Sequence, residues 1–193
     1  MRSKNSDELR AESALLAHVC CGPDAAYVIA LLEGDHAVTG FFYNPNIDTA
    51  EEYGRRLVEA RKVESILGFP LLIGDYDRVR WSRAVRAFEN EPEKGRRCDI
   101  CYALRLDRTA RLARERGFPA FTTIMSVSPW KKADVLNRIG RRLGAKYGVR
   151  FLEADFKKKG GFEKSVEISR RYGLVRQSHC GCAFARPPAG APR

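Results

Sequence analysis

The chain alternates short, continuous apolar runs with longer stretches of helical periodicity. The runs lie at 15–19, 37–43 (AVTGFFY), 71–73, 120–125 and 150–154. Unbroken apolar character over so few residues suits a strand covered on both faces, whereas a strand with one wet face alternates. Between these runs, 24–32, 49–67, 75–87, 102–116, 132–147 and 162–172 read as helices. In 49–67 the apolar stripe is Leu57, Ala60, Val63, Ile66 and Leu67. Asn44-Pro45-Asn46 breaks the second run with turn chemistry, and Gly117 closes the fourth helix. Strands alternating with helices predict an α/β fold, a parallel sheet of about five strands with helices on both faces.

That architecture carries a functional expectation, because ligands of such sheets sit beyond the carboxyl ends of the strands. Cys20 and Cys21 follow the first strand, Tyr43 and Asn44 the second, Asp75 and Tyr76 the third, Ser126 the fourth and Asp155 the fifth. All fall on one rim. The loops bearing Cys98/Cys101 and Cys180/Cys182 are expected to fold over it. Residues 1–185 are read as a single domain opening with a frayed helix over 1–13, and 186–193 (PPAGAPR after Arg186) as a disordered tail.

The sequence of 193 residues is 44% hydrophobic and 31% charged, ordinary for a globular domain. No apolar run approaches the roughly 20 residues that span a bilayer, so no membrane partner and a cytoplasmic location are expected. The formal net charge of +11 favours a polyanion, with nucleic acid first. The basic candidates are Lys131, Lys132, Arg138, Arg141, Arg142, Lys146, Lys157–Lys159, Arg170 and Arg171, with Trp130, Tyr43 or Tyr102 as rings on which an unstacked base could lie. Trp130, in a loop and followed by two lysines, is the foremost.

The six cysteines fall in three close pairs, Cys20/Cys21, Cys98/Cys101 and Cys180/Cys182. A reducing compartment disfavours structural disulfides, which leaves metal or redox chemistry. Gly22-Pro23 after Cys21 opens a helix whose N-terminal dipole favours thiolate over thiol. Two pairs would satisfy one tetrahedral zinc, and six thiolates exceed it. They could fill one four-iron cluster and leave ligands for a second metal. Asp24, one helical turn beyond the first pair, is a candidate oxygen ligand. His18, His36 and His179 are read as structural or supporting. No G-x-G-x-x-G, no G-x-x-x-x-G-K-[ST] and no Ser-Gly-Gly-x-Asp-Ser loop occurs. Cysteines stand where a nucleotide-binding fold would cradle phosphates.

With these residues assembled, the chain resembles the QueH-type epoxyqueuosine reductases. The matching pieces are His18-Val19-Cys20-Cys21-Gly22-Pro23-Asp24, Phe42-Tyr43-Asn44-Pro45-Asn46-Ile47, Glu51-Glu52-Tyr53, Cys98-x-x-Cys101-Tyr102-x-Leu104-Arg105-Leu106, Asp155-Phe156-Lys157 and Arg176-Gln177-x-x-Cys180-Gly181-Cys182. His179 departs from the usual tyrosine, Lys157 from the usual arginine, and the last motif lacks its serine. The resemblance implies a Rossmann-like, HUP-type sheet and a cobalamin-independent oxidoreductase of queuosine synthesis. Its substrate would be epoxyqueuosine at the anticodon wobble position of a tRNA with a GUN anticodon. Its cofactors would be a 4Fe-4S cluster and an adjacent second metal ion, expected to be iron, fed by an unidentified electron donor. On this reading Cys20, Cys21, Cys98, Cys101, Cys180 and Cys182 ligate metal, with Asp24 on the second ion. Asp24, Tyr43, Asn44 and Asp155 form the catalytic set for substrate contact or proton delivery. Trp130, Lys131, Lys132, Arg141 and Arg142 hold RNA. The alternatives are an iron–sulfur-dependent tRNA thiolase and a non-catalytic, zinc-stabilised RNA-binding module.

Overall fold

A computed structural model describes residues 12–185; the frayed helix expected at the N-terminus and the tail after Arg186 fall outside the described residues. In chain order the elements are β1 (Ala14–Val19), α1 (Gly22–Leu32), β2 (Ala37–Phe42), α2 (Ala50–Leu67), β3 (Leu71–Ile73), α3 (Arg78–Val85), α4 (Arg96–Glu115), β4 (Ala120–Thr123), α5 (Ala133–Tyr147), β5 (Arg150–Phe151) and α6 (Gly161–Arg171). The five strands form one sheet in the order β3-β2-β1-β4-β5, every neighbouring pair parallel. The α/β, Rossmann-like arrangement expected from the apolar runs is the one observed.

β1 lies at the centre and explains why its sequence does not alternate. Leu15, Ala17 and Val19 face one core with Val28, Ile29, Phe42 and Val63, while Leu16 faces the other with Phe41 and Phe121. Each fully buried leucine stabilises the fold by about 1.5–3 kcal/mol. α1 packs between α2 and α6 on the first face; α4 packs between α3 and α5 on the second. Thr49 caps α2 by accepting from the Glu52 N–H at 3.2 Å, and Gly68 ends it with φ of 78°. No described helix is long and apolar enough to cross a membrane.

Three boundaries differ from the sequence reading, and one matters for function. α4 begins at Arg96, so Cys98 and Cys101 stand on its first turns rather than in a loop leading to it. The charged segment before it lacks apolar periodicity, yet it is fixed by polar contacts. Arg97 donates to the carbonyls of Phe88, Glu89 and Glu91, and the Glu91 carboxylate accepts from the Arg96 N–H at 3.3 Å. β4 stops at Thr123, whose hydroxyl accepts from the Met125 N–H and turns the chain into a short 3-10 helix, Ile124–Val127. β5 is reduced to Arg150–Phe151.

The strand order reverses between β1 and β4. There the two following segments diverge to opposite faces and leave a crevice, which is where ligands of this fold class bind.

Candidate metal centre and substrate cavity

Two sulfur-rich corners meet at that crevice. The first is built on β1 and α1. Cys21 is the N-cap of α1, in extended conformation. A Cβ on Gly22 would collide with the Glu59 carbonyl, so only glycine lets the start of α1 dock this closely on α2. Cys20 and Cys21 Sγ lie 3.8 Å apart, and both sulfurs and the Asp24 carboxylate fall within 4.8 Å of one another. Asp24 Oδ1 accepts from Arg176 Nη2 at 2.9 Å and from Ser165 Oγ at 3.3 Å. Within the pair, the hydrogen bond from Cys21 lowers the Cys20 pKa against the opposing effect of burial, helped by the charges of Arg105 and Lys131. The same bond, and burial, push the Cys21 thiol well up.

The second corner joins α4 to the C-terminal segment. Cys98 and Cys101 are three residues apart and share a helix face. Cys180 and Cys182 Sγ are 3.4 Å apart around Gly181, which has φ of 88° and no room for a Cβ beside Arg56. Arg56, itself buried, anchors this turn: it donates to the carbonyls of His179 and Cys180, both at 3.1 Å, and its Nε donates to Glu52 at 2.7 Å. Asn46 Nδ2 donates to the Cys180 carbonyl at 3.3 Å, and the Asp48 N–H donates to the Gly181 carbonyl at 2.8 Å. The hydrogen bond shared with Cys182, reinforced by Lys131, lowers the Cys180 pKa to about 5 although burial opposes it; Cys182 is pushed up correspondingly. All four sulfurs of this corner line one pocket.

The corners are joined. Cys20 packs against the cluster containing Cys98, while Cys101 and Cys182 share a second cluster with Trp81 and Phe184. Cys20 and Cys180 both line a cavity of about 200 Å³, together with Asp24, Asn46, Arg105 and Trp130. The three pairs, distant in sequence, thus converge on one rim.

Arg105 projects from α4 into this junction and is only 4% exposed. Its Nη2 donates to Asn44 Oδ1 at 2.5 Å, and its Nε lies 3.3 Å from His18 Nε2. Burial first, and then the Arg105 charge, lowers the His18 pKa well below its ordinary value, so this ring is neutral. Among the described residues no carboxylate comes within ion-pair distance of Arg105. A buried guanidinium without a carboxylate favours a nearby anion, and its charge lowers the Cys20 pKa. Sulfur donors compensated by Arg105 and Lys131 are a chemically fitting set for iron–sulfur or other thiophilic metal binding, with Asp24 offering one hard oxygen.

The residues expected from sequence divide accordingly. The six cysteines and Asp24 are brought together. Asn44 reaches the cavity but is engaged, donating to the Val19 carbonyl at 3.0 Å as it accepts from Arg105. Tyr43 turns into the core, its ring stacked on Phe41 with centroids 5.7 Å apart, and Tyr102 is likewise buried, so neither offers a free face to a base. Asp155 pairs with Lys157 at 2.7 Å and does not line the cavity. Trp130 stands at the mouth, 61% exposed, with Lys94 Nζ 4.9 Å above its ring; Lys131 is beside it, and Lys132 Nζ donates to the Lys94 carbonyl. Arg141 and Arg142 lie about 13 Å further along α5, exposed, with Arg141 paired to Glu153. Arg105 and Asn46 stand within the matching motifs without an assigned role, and Arg56 is not among them. Arg105 left a signal, a charge within the apolar stripe Tyr102, Leu106, Thr109 of its helix.

A sequence profile described as "Epoxyqueuosine reductase QueH" matches residues 15–187. The chain is similar to the protein named epoxyqueuosine reductase QueH of Haemophilus influenzae, 36% identical over 173 residues that cover 89% of this chain and 71% of that protein. The protein of the same name from Streptococcus pyogenes serotype M1 is 36% identical over 183 residues, 92% of this chain and 72% of the other. That from Thermotoga maritima is 36% identical over 174 residues, 89% of each chain. Sulfur pairs, crevice and similarity over nearly the whole described fold agree: the chain belongs to the QueH family of epoxyqueuosine reductases.

Proposed function

We propose that this protein reduces epoxyqueuosine to queuosine in tRNA. The net reaction removes the epoxide oxygen as water and leaves an alkene, consuming two electrons and two protons. The observation that carries the reading is the convergence of three cysteine pairs beside a cavity with an exposed tryptophan at its mouth. Cys98, Cys101, Cys180 and Cys182 form a donor set suited to a 4Fe-4S cluster, and Cys20, Cys21 and Asp24 one suited to an adjacent iron. When bound, these groups supply one-electron reduction and a Lewis acid for the departing oxygen. An external donor supplies the electrons, without cobalamin.

The chain's own residues do the rest. Trp130 offers a π face for the extruded wobble base, and Lys131 and Lys132 hold the adjoining backbone, as RNA loops are recognised. Arg105 fixes Asn44 and presents a positive charge to the cavity, where it favours an oxygen that gains negative charge. Asn46 Oδ1 is buried without a partner at the cavity wall and is free to accept from a ring hydroxyl of the substrate. Of Asp24, Asn44, Tyr43 and Asp155, only Asp24 and Asn44 line the cavity, and Asp24, held by Arg176, keeps the role of an oxygen ligand. The cells that make this protein would hold it in the cytoplasm with its tRNA.

Anaerobic reconstitution followed by an assay on epoxyqueuosine-containing tRNA with a GUN anticodon tests the proposal. About four or more irons with matching sulfide, and conversion to queuosine, are expected. One equivalent of zinc and no conversion would refute it.

A further inference from the structure

Five buried polar side-chain atoms among the described residues lack any hydrogen-bond partner: Asn46 Oδ1, Trp81 Nε1, Arg97 Nε, Asp99 Oδ1 and the Tyr102 hydroxyl. Four of them belong to residues lining the pocket shared by Cys98, Cys101, Cys180 and Cys182, and three of these, Trp81 Nε1, Arg97 Nε and Tyr102 Oη, are donors. Trp81 and Tyr102 are 4% and 2% exposed. An indole N–H can only donate, and an unmet buried donor costs about 1–3 kcal/mol. Asn46 Oδ1 and Asp99 Oδ1 are acceptors, and the three unmet donors gather around this one pocket. None is bonded to a cysteine Sγ, so the acceptors they await belong to whatever the four sulfurs enclose.

We propose that Trp81 and Tyr102, with Arg97, are positioning residues that donate hydrogen bonds to the sulfur atoms of the group held by the four cysteines, and so raise its reduction potential. The inference rests on the cluster reading above and goes beyond it by assigning what sets the cluster's redox poise. Iron–sulfur potentials respond to hydrogen bonds on sulfur and to burial. Reduction adds negative charge to those sulfurs, so a donor stabilises the reduced state more than the oxidised one. Arg97 is the least suitable for substitution, because it also ties down the carbonyls of Phe88, Glu89 and Glu91. Trp81 sits beside Val85, Cys101 and Phe184, where a phenylalanine keeps most of the packing and loses only the N–H.

The test is an EPR-monitored redox titration of reconstituted wild type, Trp81→Phe, Tyr102→Phe and Val85→Ala, with iron and sulfide counted in each. The last variant opens a void in the same patch without removing a donor. Losing a hydrogen bond that is about 1 kcal/mol stronger in the reduced state shifts the reduction equilibrium about fivefold toward the oxidised form, a fall of about 40 mV at 59 mV per tenfold. Trp81→Phe and Tyr102→Phe are each expected to show that fall and to lose one exchangeable-proton coupling in ENDOR spectra; Val85→Ala is expected to show neither. A full cluster with unchanged potential and couplings in both donor variants would overturn this inference alone, as would an equal fall in Val85→Ala. Failure of the wild type to assemble any cluster would overturn it together with the functional reading.

Discussion

The two sulfur corners are built on different principles. Around Cys20 and Cys21 the polar groups are already satisfied: Asp24 is held by Arg176 and Ser165, Asn44 joins Arg105 to the Val19 carbonyl, and His18 Nδ1 lies 3.0 Å from Thr123 Oγ1. That corner grows from the central strand and a helix start, so its geometry is set by the fold. Around Cys98, Cys101, Cys180 and Cys182 the reverse holds. Buried donors stand unmet, and half of the sulfurs ride on a C-terminal turn with no regular structure, held by side-chain and backbone donors of which Arg56 makes two bonds. The contrast teaches that the strand-borne corner is preorganised, whereas the other needs its ligand to complete it.

The largest predicted effect attacks the Arg56 anchor. Arg56→Ala removes two of the donors that hold the His179 and Cys180 carbonyls, a loss of about 2 kcal/mol concentrated in that turn, while Glu52 keeps Arg55 as a partner. Reconstituted Arg56→Ala should lose the cluster absorbance, and its C-terminal turn should become the first site of proteolysis. Metal binding at Cys20, Cys21 and Asp24 should persist. If both corners fail together, the comparison is wrong.

Arg105→Met sharpens it from the other side. Replacing the buried guanidinium with an apolar chain of similar length leaves Asn44 Oδ1 without its donor, a cost of about 1–3 kcal/mol in thermal stability. Loss of the compensating cation should still weaken metal retention about 10- to 100-fold, as read by chelator competition. Trp130→Ala touches neither corner. At fixed salt it should weaken binding of substrate tRNA by about 1–3 kcal/mol while iron content and melting temperature stay unchanged.

The smallest effect lies away from the rim. Burial alone would raise the Asp107 pKa, but hydrogen bonds from Lys146 and Tyr147, both at 2.8 Å, outweigh it and hold the carboxyl below its ordinary range. A folded pKa below the unfolded one gives stability that is present above the unfolded value of about 3.9 and lost as pH falls through the folded value. Asp107→Asn should therefore cost less than about 1 kcal/mol near neutrality and flatten the stability profile at acid pH, with the metal sites indifferent.

The strands were legible because burial on both faces leaves only apolar residues to choose from, as in β1 with Leu15, Leu16 and Val19. The rim rule then aligned Cys20, Asn44 and Ser126 without any contact being known. The start of α4 was not legible, since Arg97 and Glu91 stabilise it through side-chain contacts to backbone that leave no periodic mark. The side-chain contacts of Tyr43 and Asp155 were not legible for a related reason. Lying just after a strand fixes a residue's position on the rim but not the direction of its side chain, and Tyr43 turns to Phe41 while Asp155 turns to Lys157. Arg105 shows the converse, a charge inside an apolar stripe whose role emerges only when three distant segments meet.

The most direct measurement is anomalous scattering at the iron absorption edge from crystals of anaerobically reconstituted protein. Strong iron density among Cys98, Cys101, Cys180 and Cys182, with a separate iron beside Cys20, Cys21 and Asp24, is the predicted result. Density only at a zinc edge, or iron at neither corner, would contradict the account.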